Sequence, residues 1–251
     1  MRWTVLLPLL IVLSRLPSYG QSGIRDTSIT IIPITLSYAY QLPTGDMADR
    51  FGWNNNIGLS TLVKFKNNYA LGLEGSFFFG NQVNERTMLN GLTTSNGRIV
   101  NQEGEPAQVF LYERGYTILG VAAKIIPVVG PNPNSGILLK FGAGYMRHKI
   151  RIETQNDEVP AIEGEYLKGY DRLTAGPMLM LFAGYQHFGN SRLVNFMVGW
   201  ELNLAFTQSL RPFNFDTGKA DETNRRDGLN GLRVGWTLPI YRHVDDRIHY
   251  R

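Results

Sequence analysis

Residues 194–206 read VNFMVGWELNLAF, and alternate positions separate into two unlike sets. Val194, Phe196, Val198, Trp200, Leu202, Leu204 and Phe206 form one apolar row, while Asn195, Met197, Gly199, Glu201, Asn203 and Ala205 form the other. A strict period of two identifies a β-strand with two different faces. The apolar row is long, and a carboxylate lies in the middle of the opposite row.

The same split recurs along the chain, giving eight candidate strands. In 31–40, Ile32, Ile34, Leu36, Tyr38 and Tyr40 oppose Thr35, Ser37 and Ala39; in 56–65, Ile57, Leu59, Val63 and Phe65 oppose Gly58, Ser60 and Lys64. In 69–80, Tyr69, Leu71, Leu73, Phe77 and Phe79 face away from Gly72, Glu74 and Ser76. In 137–152, Leu139, Phe141, Ala143 and Tyr145 oppose Leu138, Lys140, Gly142 and Gly144. In 232–241, Leu232, Val234, Trp236, Leu238 and Ile240 oppose Arg233, Gly235 and Thr237. Segments 116–128, read with Lys124 on its inner row, and 176–186, apolar on both rows, are noisier.

The connections alternate in length. KNN (66–68), VGPNPNS (129–135) and GNS (189–191) are turn sequences of Gly, Asn, Pro and Ser. The other four run to about ten, thirty, twenty and twenty residues, the asymmetry of an up-and-down barrel with short turns at one end and long loops at the other. Asn96-Gly97 in the longest suits a type I′ turn inside a small hairpin of its own. Pro33, Pro127 and Pro239 fall near the short-turn ends, and Pro33 and Pro239 lie on the two strands that must pair to close the barrel, predicting its weakest ladder there.

The sign of the faces separates a membrane barrel from a soluble, lipocalin-like one. A soluble barrel lines its interior with apolar side chains. Here the contiguous apolar row competes with a row of Gly, Ser, Asn, Lys and Glu, the inversion that lipid requires. Rows of five to seven apolar residues mean strands long enough to cross a bilayer at a tilt, for which ~9–11 residues suffice. Tyr40, Phe65, Tyr69, Tyr145 and Tyr185 near row ends suit interfacial girdles. The fold expected is an all-β, eight-stranded antiparallel up-and-down transmembrane barrel with four long extracellular loops.

The inward parity collects Lys64, Glu74, Lys124, Lys140, Glu201 and Arg233. Neighbouring strands are expected to bring Lys64 near Glu74, and Glu201 and Arg233 fall at similar depth on adjacent strands. A buried charge without a partner is costly, so these residues are read as a lumen ion-pair network that fills the barrel rather than opening it.

Composition bounds the rest. Only 18% of residues are charged and none is cysteine, which is low in charge for a soluble domain and excludes disulfides and lipid anchoring through a thioether. The start, MRWTVLLPLLIVLSRLPSYG, carries Arg2, an apolar stretch interrupted by Pro8, and a polar segment ending at Gly20; residues 1–20 read as a secretory signal peptide and 21–251 as one barrel domain. The formal charge of +4 falls to about +2 without Arg2 and Arg15, a balance that implies no nucleic-acid partner.

No HExxH, phosphate loop, GxSxG or cysteine pair occurs; no catalytic, cofactor or metal residue is assigned. None of His148, His187, His243 and His249 has an adjacent serine, and exposed positions are expected for them. Asp157, Glu158, Glu163, Glu165 and Asp171 lack the ligand spacing of a calcium loop. Two loops stand out, EYLKGYDRL (165–173) and LRPFNFDTG (210–218). Their Tyr166, Tyr170, Asp171, Arg172, Arg211, Phe213 and Phe215 mix aromatics with charge as contact surfaces do. Arg147, Lys149 and Arg151 suit the anionic lipopolysaccharide layer.

The segment RVGWTLPIY (233–241) resembles the terminal-strand signal read by the outer-membrane barrel assembly machinery, through Arg233, Gly235, Leu238, Ile240 and Tyr241, although the chain runs on for ten residues. With KIIPVVGPNPNSGILLKFGAGYMRHKIRI (124–152), KGYDRLTAG (168–176) and FNFDTG (213–218), the chain resembles the small eight-stranded outer-membrane proteins of the Bacteroidetes type. That resemblance implies a bacterial outer-membrane address reached through the secretory pathway, and no activity. The function expected is a non-enzymatic structural or accessory barrel, in contact with outer-membrane lipids, lipopolysaccharide and other outer-membrane proteins. The alternatives are a lipid A-modifying enzyme and a narrow channel.

Overall fold

The computed structural model describes residues 27–154, 158–189 and 193–241. The segment 1–20, the tail with His243 and His249, and Asp157 lie outside them. Eight strands follow one another, β1 (Ile31–Gly45), β2 (Asn54–Lys64), β3 (Tyr69–Gly80), β4 (Val109–Ile126), β5 (Gly136–Thr154), β6 (Thr174–Phe188), β7 (Asn195–Ser209) and β8 (Arg225–Tyr241). Each pairs antiparallel with the next, and β8 pairs with β1 to close the barrel.

The register fixes the tilt. A walk perpendicular to the strands runs Thr35, Ser60, Glu74, Leu119, Gly144, Met178, Ala205, Asp227 and back to Gly45. It returns ten residues further along β1, and eight strands with that stagger tilt by roughly 40° and enclose an interior only wide enough for side chains.

The faces divide as the alternation requires. Leu36, Leu59, Leu73, Ile118, Leu181, Leu202 and Leu232 are exposed on the outside, while Lys64, Glu74, Lys140, Glu201 and Arg233 are buried inside. Lys124 departs from the expected parity. On β4 the inner row is Thr117, Leu119, Val121, Ala123 and Ile125, so Lys124 lies on the outer face. There its ammonium sits 3.7 Å over the Tyr69 ring and donates to the Asn67 carbonyl. Small Gly120 and Ala122 on the outer row hid the true phase. The lumen is accordingly less polar than expected, with Leu119, Val121, Met178, Met180 and Phe182 lining the β4–β6 wall.

Connections 46–53, 81–108, 155–173 and 210–224 share one end, and 65–68, 127–135 and 189–194 the other. The first long-end connection is a short helix, α1 (Asp46–Arg50), that buries Met47 and Arg50 in the barrel mouth, with Phe51 beside them. The turn in the longest connection differs from the expected type I′. The Gly97 amide donates to Thr94 and only Gly97, not Asn96, has a positive φ (72°), so the chain bends over Ser95-Asn96 and uses Gly97 as the left-handed residue of a bulge. Pro33 and Pro239 stand directly opposite in the β1–β8 seam. The ladder nevertheless runs from Ile31↔Tyr241 to Gly45↔Asp227, so the missing donors make a local gap near one end rather than a weak seam.

Candidate functional site

The middle of the lumen holds a charge cluster built from four strands. Arg233 on β8 donates from Nε to Glu201 Oε2 at 2.6 Å and from Nη2 to Glu201 Oε1 at 3.0 Å, the two-pronged geometry that makes guanidinium–carboxylate pairs strong. Its Nη1 lies 3.9 Å from Glu74 and donates to Ser37 Oγ at 2.7 Å. Glu74 in turn pairs with Lys140 Nζ at 2.5 Å. Two cations and two anions thus neutralise one another, with Gln41 donating to Glu201 and Asn56 accepting from Arg233.

Lys64 stands apart from this cluster. It registers with Ala70, whereas Glu74 registers with Ser60, a separation of about 14 Å along the strand at roughly 3.4 Å per residue. Its ammonium donates instead to Asn134 Oδ1, Ser28 Oγ and the Ile29 carbonyl, closing the short-turn end. The expected Lys64–Glu74 pairing was misplaced because both residues share a face but not a depth.

A second polar chamber lies under α1. Arg50 donates to both oxygens of Asp227 at 3.0 and 3.1 Å, and Asp227 also receives Thr207 Oγ1 at 2.5 Å and contacts His148 Nε2 at 2.9 Å. His148 is 1% exposed, contrary to the exposed position expected from the basic run around it. The run alternates, so Arg147 and Lys149 take the outer face and the imidazole between them turns inward. Phe51 packs edge-on against its ring at 5.7 Å. Glu113 and Asn54 complete the chamber through a 3.1 Å hydrogen bond.

The two aromatic loops meet at the long-loop end. Arg211 clamps Asp171 at 2.8 and 2.5 Å, and Arg172 clamps Asp216 at 3.0 and 2.5 Å while reaching Glu85 at 3.4 Å. Burial works against the charge of Arg172, but the bonds from Asp216 and Glu85 outweigh it and hold its pKa above the ordinary value. The Asp171 hydrogen bond does the same for Arg211. Tyr170 and Phe215 pack edge-to-face at 5.6 Å, with Tyr166 and Phe213 beside Phe215. Of the seven loop residues, Tyr170 and Asp171 are buried within this staple, whereas Tyr166, Phe213 and Phe215 are exposed.

The residues of the expected assembly signal divide by parity. Arg233 belongs to the lumen cluster, Gly235 packs against Thr35 and Met197, Ile240 faces outward, and Tyr241 registers with Ile31. Leu238 registers with Ile34 on the outer face. The sequence pattern does not single out Arg50, Glu113 and Asp227, because all three lie outside the alternating segments. Among the described residues no group of three or more acidic or histidine side chains has the geometry to hold a metal ion.

No protein-family model and no curated protein matches the chain. Among solved structures it is similar to Ail, the attachment invasion locus protein of Yersinia pestis, in its complex with the heparin analogue sucrose octasulfate, at 12% identity and a TM-score of 0.41, over 83% of this chain and 99% of that one. Neisserial surface protein A gives 11% identity and 0.40 over 82% and 96%. The outer membrane protein OprG from Pseudomonas aeruginosa gives 10% and 0.39 over 88% and 100%.

Proposed function

We propose that this chain is a non-enzymatic barrel of the bacterial outer membrane, with a side-chain-filled lumen and a structural or accessory role exercised through its long-loop face. The observation that carries the reading is the distribution of charge. Leucine, isoleucine and aromatic side chains circle the exterior while Glu74, Lys140, Glu201 and Arg233 neutralise one another inside. Water would favour the reverse arrangement and lipid favours this one.

Residues 1–20 act as the secretory signal, Arg233 to Tyr241 as the recognition segment for the assembly machinery, and the long loops face outward from the cell. The resemblance to Bacteroidetes-type barrels belongs to this reading. Contact with a larger outer-membrane complex is made through the exposed Tyr166, Phe213 and Phe215. The pairing of His148 with Asp227 is shielded from the lipid face, which supports a structural role for it over acyl-chain chemistry.

Two measurements test the proposal. The purified barrel reconstituted in planar bilayers is expected to give no steady single-channel conductance, and a reproducible conductance would overturn the filled lumen. A mild-detergent pull-down from outer membranes is expected to recover partner proteins, and their loss on replacing Tyr166, Phe213 and Phe215 by serine locates the contact. Recovery of the monomer alone would remove the accessory role.

A further inference from the structure

The outer faces of β4 and β5 form a ladder of directly opposed residues. From the short-turn end its rungs are Ile126/Ile137, Lys124/Leu139, Ala122/Phe141, Gly120/Ala143 and Ile118/Tyr145. Eight residue steps span roughly 27 Å along the strand, or about 20 Å of height at a ~40° tilt, close to the ~25 Å apolar band of a membrane barrel. The next two rungs change character abruptly to Tyr116/Arg147 and Arg114/Lys149. Cations therefore stand at headgroup depth, directly above the aromatic edge of the belt.

These cations differ in how they are satisfied. Arg114 donates to the Glu113 and Gly80 carbonyls and lies over the Tyr112 ring at 4.9 Å. Arg151, one rung higher, pairs with Glu153. Among the described residues no carboxylate reaches within 4.0 Å of Arg147 or Lys149, nor of the exposed Arg226 side chain on β8. A cation beside hydrocarbon needs a counterion.

The wall beside Arg147 is opened by a proline. The β6–β7 register holds at Ala175↔Gln208 and resumes at Met178↔Ala205, with no ladder pair between. Pro177 has no amide to donate there. A groove of about 660 Å³ lies on this wall, with Ala175, Gly176, Pro177 and Phe206 as its apolar part and Gln208, Asn224, Arg225 and Arg226 as its polar part. Ala175 registers with Arg147, Pro177 with Tyr145, and Phe206 with Arg226. The apolar part of the groove therefore runs down into the lipid belt, with Arg226 at its polar edge and Arg147 beside Ala175 on the far side.

We propose that this groove is a binding site for one phosphorylated membrane lipid of the leaflet at the long-loop end, with an acyl chain over Pro177 and Phe206 and a phosphorylated headgroup reaching from Arg226 on β8 across to Arg147 on β5. Lys149 supplies a further positive charge above. Guanidinium forks match phosphate oxygens in geometry as well as charge, and the belt below matches the chain. The assignment rests on the membrane reading of the barrel, which insertion into vesicles tests separately.

The decisive experiment is native mass spectrometry of the detergent-purified full barrel titrated with bis-phosphorylated lipid A, with phosphatidylcholine and inorganic phosphate as comparison probes. One lipid A adduct is expected, retained at least about tenfold more strongly than phosphatidylcholine. The Arg147→Gln/Arg226→Gln variant is expected to lose at least tenfold in affinity, and Ala175→Leu, which fills the groove while removing no charge, should also lose it. Lys124→Gln, a cation at the other end of the same ladder, should bind as the parent does. Equal retention of lipid A by parent and double variant would overturn the site, as would equal retention of phosphatidylcholine. Displacement of the adduct by millimolar inorganic phosphate would mark a free-anion site and overturn the lipid assignment. Heat-modifiable migration of each variant verifies that it folds. Failure of the parent itself to insert into vesicles would instead overturn the membrane reading.

Discussion

Arg233 and Glu201 meet inside the barrel at 2.6 Å although they are not opposed in the register, where Arg233 faces Gly199 and Glu201 faces Gly231. A Cβ at Gly58 on β2 would lie 2.7 Å from Arg233 Nη1, so the missing side chain there leaves the room that the guanidinium occupies. Glycine here acts by the space it leaves, in the only interior volume an eight-stranded barrel has.

Glu201→Ala leaves the Arg233 guanidinium with neutral partners and, as a carboxylate, the more distant Glu74 at 3.9 Å, and it removes the acceptor of Gln41. Breaking a buried pair from one side costs about 3–5 kcal/mol. The variant should lose its heat-modifiable folded band at a lower temperature than the parent. An unchanged transition would show that the pair contributes nothing. Replacing both residues by apolar ones of similar volume should recover part of the loss.

Arg172 carries a positive φ of 50°, a conformation that costs a non-glycine residue, and it holds Asp216 and Glu85 from that position. Arg172→Ala keeps the strain and removes both ion pairs, whereas Arg172→Gly removes both strain and pairs. Limited proteolysis should cut the 158–173 and 210–224 loops faster in both variants, and faster in Ala than in Gly. Equal rates in parent and variants would mean that the loops are not stapled through this residue.

Gly144 approaches β4 so closely that an added Cβ would lie 1.9 Å from the Ile118 carbonyl oxygen. That atom is backbone and cannot rotate away. Gly144→Ala should destabilise the barrel by about 1–3 kcal/mol through displacement of the β4–β5 ladder, read as a lower urea midpoint in detergent. A midpoint equal to that of the parent would contradict the close approach.

The Asp221 carboxyl responds to acid in a defined direction. Burial pushes its pKa up, but hydrogen bonds from Arg225 and the Thr223 amide outweigh that and hold it below its ordinary value of 3.8. A depressed folded-state pKa gives stability that is fully present above the unfolded value and is lost as pH falls through the folded one. Amide-exchange protection at Thr223, corrected for the intrinsic pH dependence, should be flat above about pH 5 and decline below about pH 4. Asp221→Asn should be less protected at neutral pH and lack that acid step.

Several expectations failed for a common reason. Alternation assigns a face but not an absolute depth, so Lys64 was matched to Glu74 when its partners are Asn134 and Ser28. Where small residues occupy both rows, as at Gly120, Ala122 and Ala123, the phase itself is ambiguous, and the inward reading of Lys124 gives way to an outward one. The basic run around His148 reads as exposed, because the strand continues past the apolar belt and its alternation there is written in charge rather than hydrophobicity. The groove at Pro177 carried one visible signal, a proline inside a strand pattern, but Arg226 joins it only through the stagger of β8.

The number of strands, the apolar outer face, and the inward placement of Glu74, Lys140, Glu201 and Arg233 are legible in the sequence alone, because a period of two is a local property of the chain. Which charges meet, the seating of α1 in the mouth, and the placing of Arg147 and Arg226 around one groove come from long-range packing. Those relations depend on a ten-residue stagger accumulated around the closed sheet. No single strand encodes that stagger, since each register contributes to it and closure fixes the sum.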